Sequence, residues 1–206
     1  MPWYNYVNVG LLCVIWVIIF KDLNKYKAAR STWLIFLGIY TLIEFISMPL
    51  EMKGINNLWL YNSSKPIQFI LLALYFTKTL NFEKTKKRIF LIFSLLLCTL
   101  SFFFTDFSNY NSLPDIVFNS VIIILCINYF YLLIKYDDFI YLSESEFWYC
   151  AGLFIYYVTS LCINGTLNFL IQTNLDVARK LFYFLVINSF IFYFLIIYAL
   201  LAGKKK

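Results

Sequence analysis

The stretch LFYFLVINSFIFYFLIIYALL, residues 181–201, runs for 21 residues without a charged side chain. A helix needs roughly 20 mostly apolar residues to cross the hydrocarbon core of a bilayer. The stretch therefore reads as a membrane span, and it sets a scale for the rest of the chain. Comparable runs occur at about 3–20, 32–50, 89–104, 116–134 and 145–172. A weaker segment lies at about 55–80, where the clean apolar part is only 67–77. It is long enough to span if its helix continues through Pro66, which a membrane helix tolerates when neighbouring groups satisfy the freed carbonyl. The expected fold is an all-α polytopic transmembrane bundle of seven helices, with residues 1–206 as a single domain.

Composition supports the same class. Of the 206 residues, 62% are hydrophobic and 14% charged, against about half apolar and about a quarter charged in a soluble domain. The 23 Phe and 17 Tyr supply much of the packing area. Frequent Asn, Lys and Ile are consistent with AT-rich bacterial coding. The connections between spans are too short to fold alone, and no internal repeat or low-complexity segment is present.

Orientation follows from the basic residues. The first apolar run has no basic residue before it, and Lys21, Lys25, Lys27 and Arg30 after it, so it reads as a retained helix with its N-terminus outside. Seven alternating spans then place four connections on the cytoplasmic side. These hold Lys21, Lys25, Lys27 and Arg30; Lys78, Lys84, Lys86, Lys87 and Arg88; Lys135; and Lys204, Lys205 and Lys206. That is thirteen of the 17 basic residues, with Lys53, Lys65, Arg179 and Lys180 outside. The split satisfies the positive-inside rule. If residues 55–80 failed to span, the Lys84–Arg88 cluster would face outward. Location in the cell (inner) membrane with a cytoplasmic C-terminus is expected. The net charge of +6 is read as topology signals facing anionic lipid, with no direct nucleic-acid binding.

Helix starts carry recognisable chemistry. Asn111-Ser112-Leu113-Pro114-Asp115 offers a cap and an early proline for the fifth helix. Ser143-Glu144-Ser145-Glu146 reads as a capping box for the sixth. The preceding connection is acidic, with Asp137, Asp138, Glu144 and Glu146, and reads as a solvated loop or a dock for a basic partner.

Polar residues inside a bilayer are costly and are functional-site candidates. Glu44 lies well inside the second apolar run, followed by Ser47 and Pro49. Lys65 is the basic residue expected at similar depth, which leaves two readings of Glu44: a Glu44–Lys65 contact, or a neutral or interface-level Glu bonding to neighbouring helices. On the sixth helix Ser160, Asn164, Asn168 and Gln172 recur every four residues and form one stripe, with Gly165 and Thr166 beside it for close helix approach. The stripe reads as interhelical hydrogen bonding or as the lining of a polar path. Gln68, Asn119, Asn128 and Asn188 could converge with it. Lys84, Lys86, Lys87 and Arg88 form a cytoplasmic basic face.

Several chemistries are disfavoured. The chain has no histidine, which zinc metalloprotease motifs and a Ser–His dyad require. Its six glycines form no phosphate-cradling motif. Residues 181–201 offer no lysine for a retinal Schiff base. The five cysteines (Cys13, Cys98, Cys126, Cys150, Cys162) form no CxxC pair and read as small thiols in helix packing. Catalytic residues, metal sites and cofactors are therefore not expected.

Asn56-Asn57-Leu58-Trp59-Leu60-Tyr61, followed by Ile67-Gln68-Phe69 and a Leu-rich run, resembles a segment of small, uncharacterised multi-pass bacterial membrane proteins encoded near two-component sensor genes. Phe147-Trp148, Gly152 and Ile155-Tyr156-Tyr157 resemble their later helix. That family often has a histidine and a glutamate where Asn62 and Gln68 stand here. In size and hydrophobic character the chain is also similar to the membrane-predicted accessory proteins of type VI-B CRISPR systems, which modulate an RNA-guided RNase. Both resemblances imply a non-enzymatic accessory or regulatory membrane protein, with the bilayer, a cytoplasmic protein partner or further copies of the chain as partners. The rival reading is an oligomeric pore or small-solute transporter built on the sixth-helix stripe. Ion flux in liposomes separates the two.

Overall fold

The computed structural model describes residues 3–21, 28–105, 112–135 and 144–202. They form seven α-helices: α1 (Trp3–Lys21), α2 (Ala28–Met52), α3 (Leu58–Thr79), α4 (Lys84–Phe104), α5 (Ser112–Lys135), α6 (Ser145–Thr173) and α7 (Leu175–Ala202). No strand occurs among the described residues. Six of the helices are long and apolar enough to cross a membrane; α3 is the exception. The all-α fold expected from the sequence is therefore present, and the chain is a multi-pass membrane protein. The acidic residues Asp137 and Asp138, and the basic residues Lys25, Lys27 and Lys204 to Lys206, lie outside the described residues.

The helices fall into two compact units, Met1–Asn5 with Asn24–Asp115, and Tyr6–Leu23 with Ile116–Lys206. In the first, α3 packs against both α2 and α4. Trp33 meets Tyr75 with ring centroids 5.9 Å apart, and Ser47 Oγ lies 2.8 Å from Tyr61 Oη, which fixes α2 and α3 as antiparallel neighbours. Two tight turns make this possible. After α2, Gly54 takes a left-handed φ of +67°, while Gly54 N–H donates to Glu51 O and Ile55 N–H to Leu50 O. This Schellman closure ends α2 and moves the start of α3 from the expected 55 to Leu58. After α3, Asn81 takes φ 49°, with Asn81 N–H on Lys78 O and Phe82 N–H on Thr77 O, the same closure with asparagine in glycine's place.

The side-chain pattern of α4 is the reverse of a soluble amphipathic helix. Its buried face is Ser94, Cys98 and Ser101, while Ile89, Ile92, Phe93, Leu96, Leu100 and Phe103 are exposed. Large apolar groups facing outward suit a hydrocarbon solvent, and small residues at i, i+4 and i+7 let a neighbouring backbone come close. Cys98 Sγ reaches the Pro66 carbonyl at 3.6 Å, so the close approach is to α3. The inward hydroxyls are satisfied within their own helix: Ser94 donates to Phe90 O and Ser101 to Cys98 O. Three cysteines are buried as packing thiols, but Cys13 and Cys162 are exposed, contrary to the sequence expectation.

In the second unit α6 and α7 form a helical hairpin whose connection is the single residue Asn174. Its side-chain oxygen accepts the Val177 N–H at 3.2 Å and caps α7, so α7 begins six residues before the apolar run that announced it. Ser143 of the expected capping box lies outside the described residues; among those described, Glu144 holds the N-cap without a side-chain cap bond, and Ser145 Oγ donates to the adjacent Glu146 at 3.1 Å. Along the hairpin Trp148 stacks edge-on to Tyr198 at 4.5 Å, Tyr156 meets Phe192 at 5.1 Å, and Asn188 Nδ2 donates to Tyr156 O at 3.0 Å.

Close approach in this hairpin is made at Gly152 rather than at the expected Gly165. A Cβ on Gly152 would lie 3.3 Å from both Leu195 Cβ and Phe192 Cδ2, whereas a Cβ on Gly165 would meet nothing within 4 Å. Overpacking of this kind costs about 1–3 kcal/mol. Gly152→Leu is therefore expected to lower the midpoint of thermal unfolding in detergent, with Gly165→Leu close to wild type. Equal melting of the two variants would contradict the assigned contact.

Candidate functional site

A polar cluster lies where the end of α2 meets the start of α3. Glu44 is on α2 and is partly covered. Tyr61 Oη donates to Glu44 Oε2 at 3.4 Å and lies 2.8 Å from Ser47 Oγ, and the Tyr40 side chain also bonds the carboxylate. Ser47 Oγ is in addition 3.1 Å from the Glu44 carbonyl. About two turns beyond Glu44 on α2, Glu51 accepts a 2.7 Å hydrogen bond from Asn5 Nδ2. The Glu44 carboxylate is thus held by phenols rather than by a cation, and the Ser47 hydroxyl bonds one of those phenols and the Glu44 carbonyl.

The Glu44–Lys65 contact is not formed. The α2–α3 register brings the two residues to similar depth, but Lys65 Nζ is 2.8 Å from Asp115 Oδ1 and 2.9 Å from Oδ2, and it donates to Asn62 Oδ1 at 3.3 Å. Asp115 is in the first turn of α5, where a carboxylate also faces the positive end of the helix dipole. The Lys65 side chain is 28% exposed and that of Asp115 8%. Depth could be matched from sequence. The direction in which a side chain leaves its helix could not, and Asp115 read as a helix-start residue rather than as the partner of Lys65.

The other predicted residues separate. Gln68 Nε2 donates to Ser64 Oγ one turn back on α3 at 3.2 Å. On α6, Ser160 and Asn164 are buried and joined, with Asn164 Nδ2 donating to Ser160 Oγ at 3.2 Å. Gln172 is exposed, Thr166 donates to Ile163 O at 3.0 Å, and the Asn168 side chain lies outside the described residues. Asn188 is engaged with α6, as described above, and Asn128 is exposed. Asn119 is buried on α5, and its Nδ2 has no hydrogen-bond partner among the described residues. The stripe predicted on α6 is therefore split between an internal hydrogen bond and the exposed end of the hairpin.

Comparison with protein families, curated proteins and solved structures finds no match. The chemistry of the site must therefore be read from its own residues. Among those described, no group of three or more Cys, Asp or Glu side chains converges in a way that could hold a metal ion.

The basic face is on the opposite end of the first unit. Lys84, Lys86 and Arg88 are exposed and Lys87 half-buried at the start of α4. Lys86 lies 3.6 Å from Glu83, a solvent-exposed pair worth little. Lys78, at the end of α3, donates to Thr32 Oγ1 at the start of α2 at 2.6 Å, which puts the three helix ends on one side. Lys65 and Lys78 are about 20 Å apart along α3.

Removing one member of a buried ion pair strands the other and costs roughly 3–5 kcal/mol. Asp115→Ala is expected near the low end, about 3 kcal/mol, because Lys65 keeps some access to solvent. The double variant Lys65→Met/Asp115→Leu should recover most of the loss in detergent unfolding. Additive losses would show that the two side chains do not act as a pair.

Proposed function

We propose that this chain is a non-enzymatic accessory or regulatory protein of a bacterial cell membrane, which senses a condition in or near the bilayer and modulates a partner system. In this reading α3 is a seventh span, the N-terminus is outside and the C-terminus cytoplasmic. The basic residues of the first unit support that orientation, with Lys78, Lys84, Lys86, Lys87 and Arg88 at one end against Lys53 and Lys65 toward the other.

The observation that carries the regulatory reading is that a few polar side chains inside the helices reach across to another helix, while most hydroxyls bond carbonyls of their own helix. Lys65 holds Asp115, Tyr61 holds Glu44, and Asn188 holds the Tyr156 carbonyl. A carboxylate–phenol–hydroxyl cluster between α2 and α3 links its hydrogen bonding to the packing of those two helices. A signal that rearranges Glu44, Tyr61 and Ser47 would bias that packing, which is how a local electrostatic change acquires a distant readout. The two resemblances supply the partner classes to test: a sensor kinase and an RNA-guided RNase.

The test is to cross-link the tagged chain in its native membrane and identify what it holds at its basic end. A stoichiometric protein partner whose output changes in the Tyr61→Phe variant is the expected result, with the variant losing only about 1 kcal/mol of stability. Turnover of a lipid or peptide by the purified chain alone, or ion flux in liposomes, would overturn the reading.

A further inference from the structure

The cations at the start of α4 stand where the fold itself gives them least support. The N-terminal end of a helix carries a partial positive charge, so lysine and arginine are disfavoured there. The first residues of α4 are nonetheless Lys84-Thr85-Lys86-Lys87-Arg88, with no acidic residue in the first turn. Glu83, at the N-cap, makes no side-chain cap bond, and its ion-pair partner among the described residues is Lys86, at 3.6 Å between two exposed side chains. Lys78 is already engaged with Thr32. The protein therefore assembles at this end of the first unit a positive patch that its own described side chains leave largely uncompensated.

The surface that continues from the patch is apolar. Ile89, Phe93, Leu96 and Leu100 are exposed and follow one another at i, i+4, i+7 and i+11, a continuous stripe down α4. Ile92 and Phe103 widen it. Leu95 and Phe102 are exposed as well and carry this apolar face round to the side of Lys84 and Arg88, with Lys86 at its other edge, so that cations flank an aliphatic and aromatic surface and the two match one molecule in two places. An anionic headgroup meets the charges, and the acyl chains below it lie along the stripe.

We propose that residues 84–100 of α4 form a docking surface for an anionic phospholipid, with Lys84, Lys86 and Arg88 around its headgroup and the Ile89–Phe93–Leu96 stripe against its chains. The proposal deepens the reading of this end as the cytoplasmic one and rests on it. It assigns the basic face a retained lipid rather than only an orientation signal. The occupant follows from charge complementarity and from the depth at which the stripe begins, directly after Arg88.

The test uses the full chain reconstituted in bilayers of mixed phosphatidylcholine and phosphatidylglycerol, then released into mild detergent for native mass spectrometry. Wild type is expected to retain phosphatidylglycerol in preference to phosphatidylcholine. The triple substitution Lys84→Gln/Lys86→Gln/Arg88→Gln should lower that retention by roughly a hundredfold at low salt, the effect of removing three near-surface cations. Lys84→Arg/Lys86→Arg should retain it. Ile89→Ser/Phe93→Ser, which keeps every cation, should also weaken retention, whereas an acidic protein segment as occupant would leave phosphatidylglycerol retention insensitive to this change and overturn the proposal. Equal retention by wild type and the triple Gln variant, both with unchanged helical content, would likewise overturn it. A reporter fused to the C-terminus reads orientation separately, so a wrong topology and an absent lipid site give different results.

Discussion

α3 is the helix least suited to lipid, and the first unit is arranged around covering it. It carries Asn62, Ser64, Lys65, Pro66 and Gln68 in succession, and a bilayer offers none of these a partner. α2 and α4 supply the cover. Asn62, Ser64 and Pro66 are buried, and the exposed position in this stretch is the aliphatic Ile67. α3, which is not long and apolar enough to cross a membrane by composition, is thus enclosed by α2 and α4. The small inward face of α4 is the geometric condition for this, because Ser94, Cys98 and Ser101 allow α4 to approach the Pro66 region closely.

The same economy governs the remaining polar groups. Hydroxyls on the apolar helices return to carbonyls of their own helix, as Thr41 does to Leu37 at 2.7 Å and Ser120 to Ile116 at 2.7 Å. Such bonds satisfy the donor without a partner helix and specify little. Bonds between elements are fewer and carry the specificity. Lys65 to Asp115 fixes the start of α5 to α3, and Asn188 to Tyr156 fixes one register of the α6–α7 hairpin. The Gly152 contact and the Trp148–Tyr198 pair fix the same register independently.

Glu44 stands apart from these fasteners. The partners of its carboxylate are the phenols of Tyr61 and Tyr40, and neither is a cation. In the proposed regulatory reading, its position between α2 and α3 would couple a change in its hydrogen bonding to the packing of those two helices, and the basic start of α4 would be a second point at which the membrane acts on them.

The amino-acid sequence by itself determined the class of fold and its coarse layout. Runs of about 20 apolar residues and the cations between them follow from the transfer cost of side chains and backbone into hydrocarbon, which depends on composition and order alone. The residues that interrupt those runs were legible as a list: Glu44, Lys65, Asn164 and Asn188 all stand out. Tertiary structure alone decided how they pair. Lys65 turned to Asp115 and not to Glu44, Gly152 and not Gly165 received the neighbouring helix, and Ser160 and Asn164 bonded each other. The reason is that helical periodicity fixes depth and relative face within one helix, while the rotation of that helix against its neighbours is set by the packing of all of them. Gly54 and Asn81 show the boundary between the two: each residue type permits a left-handed turn, and the packed helices on either side require one.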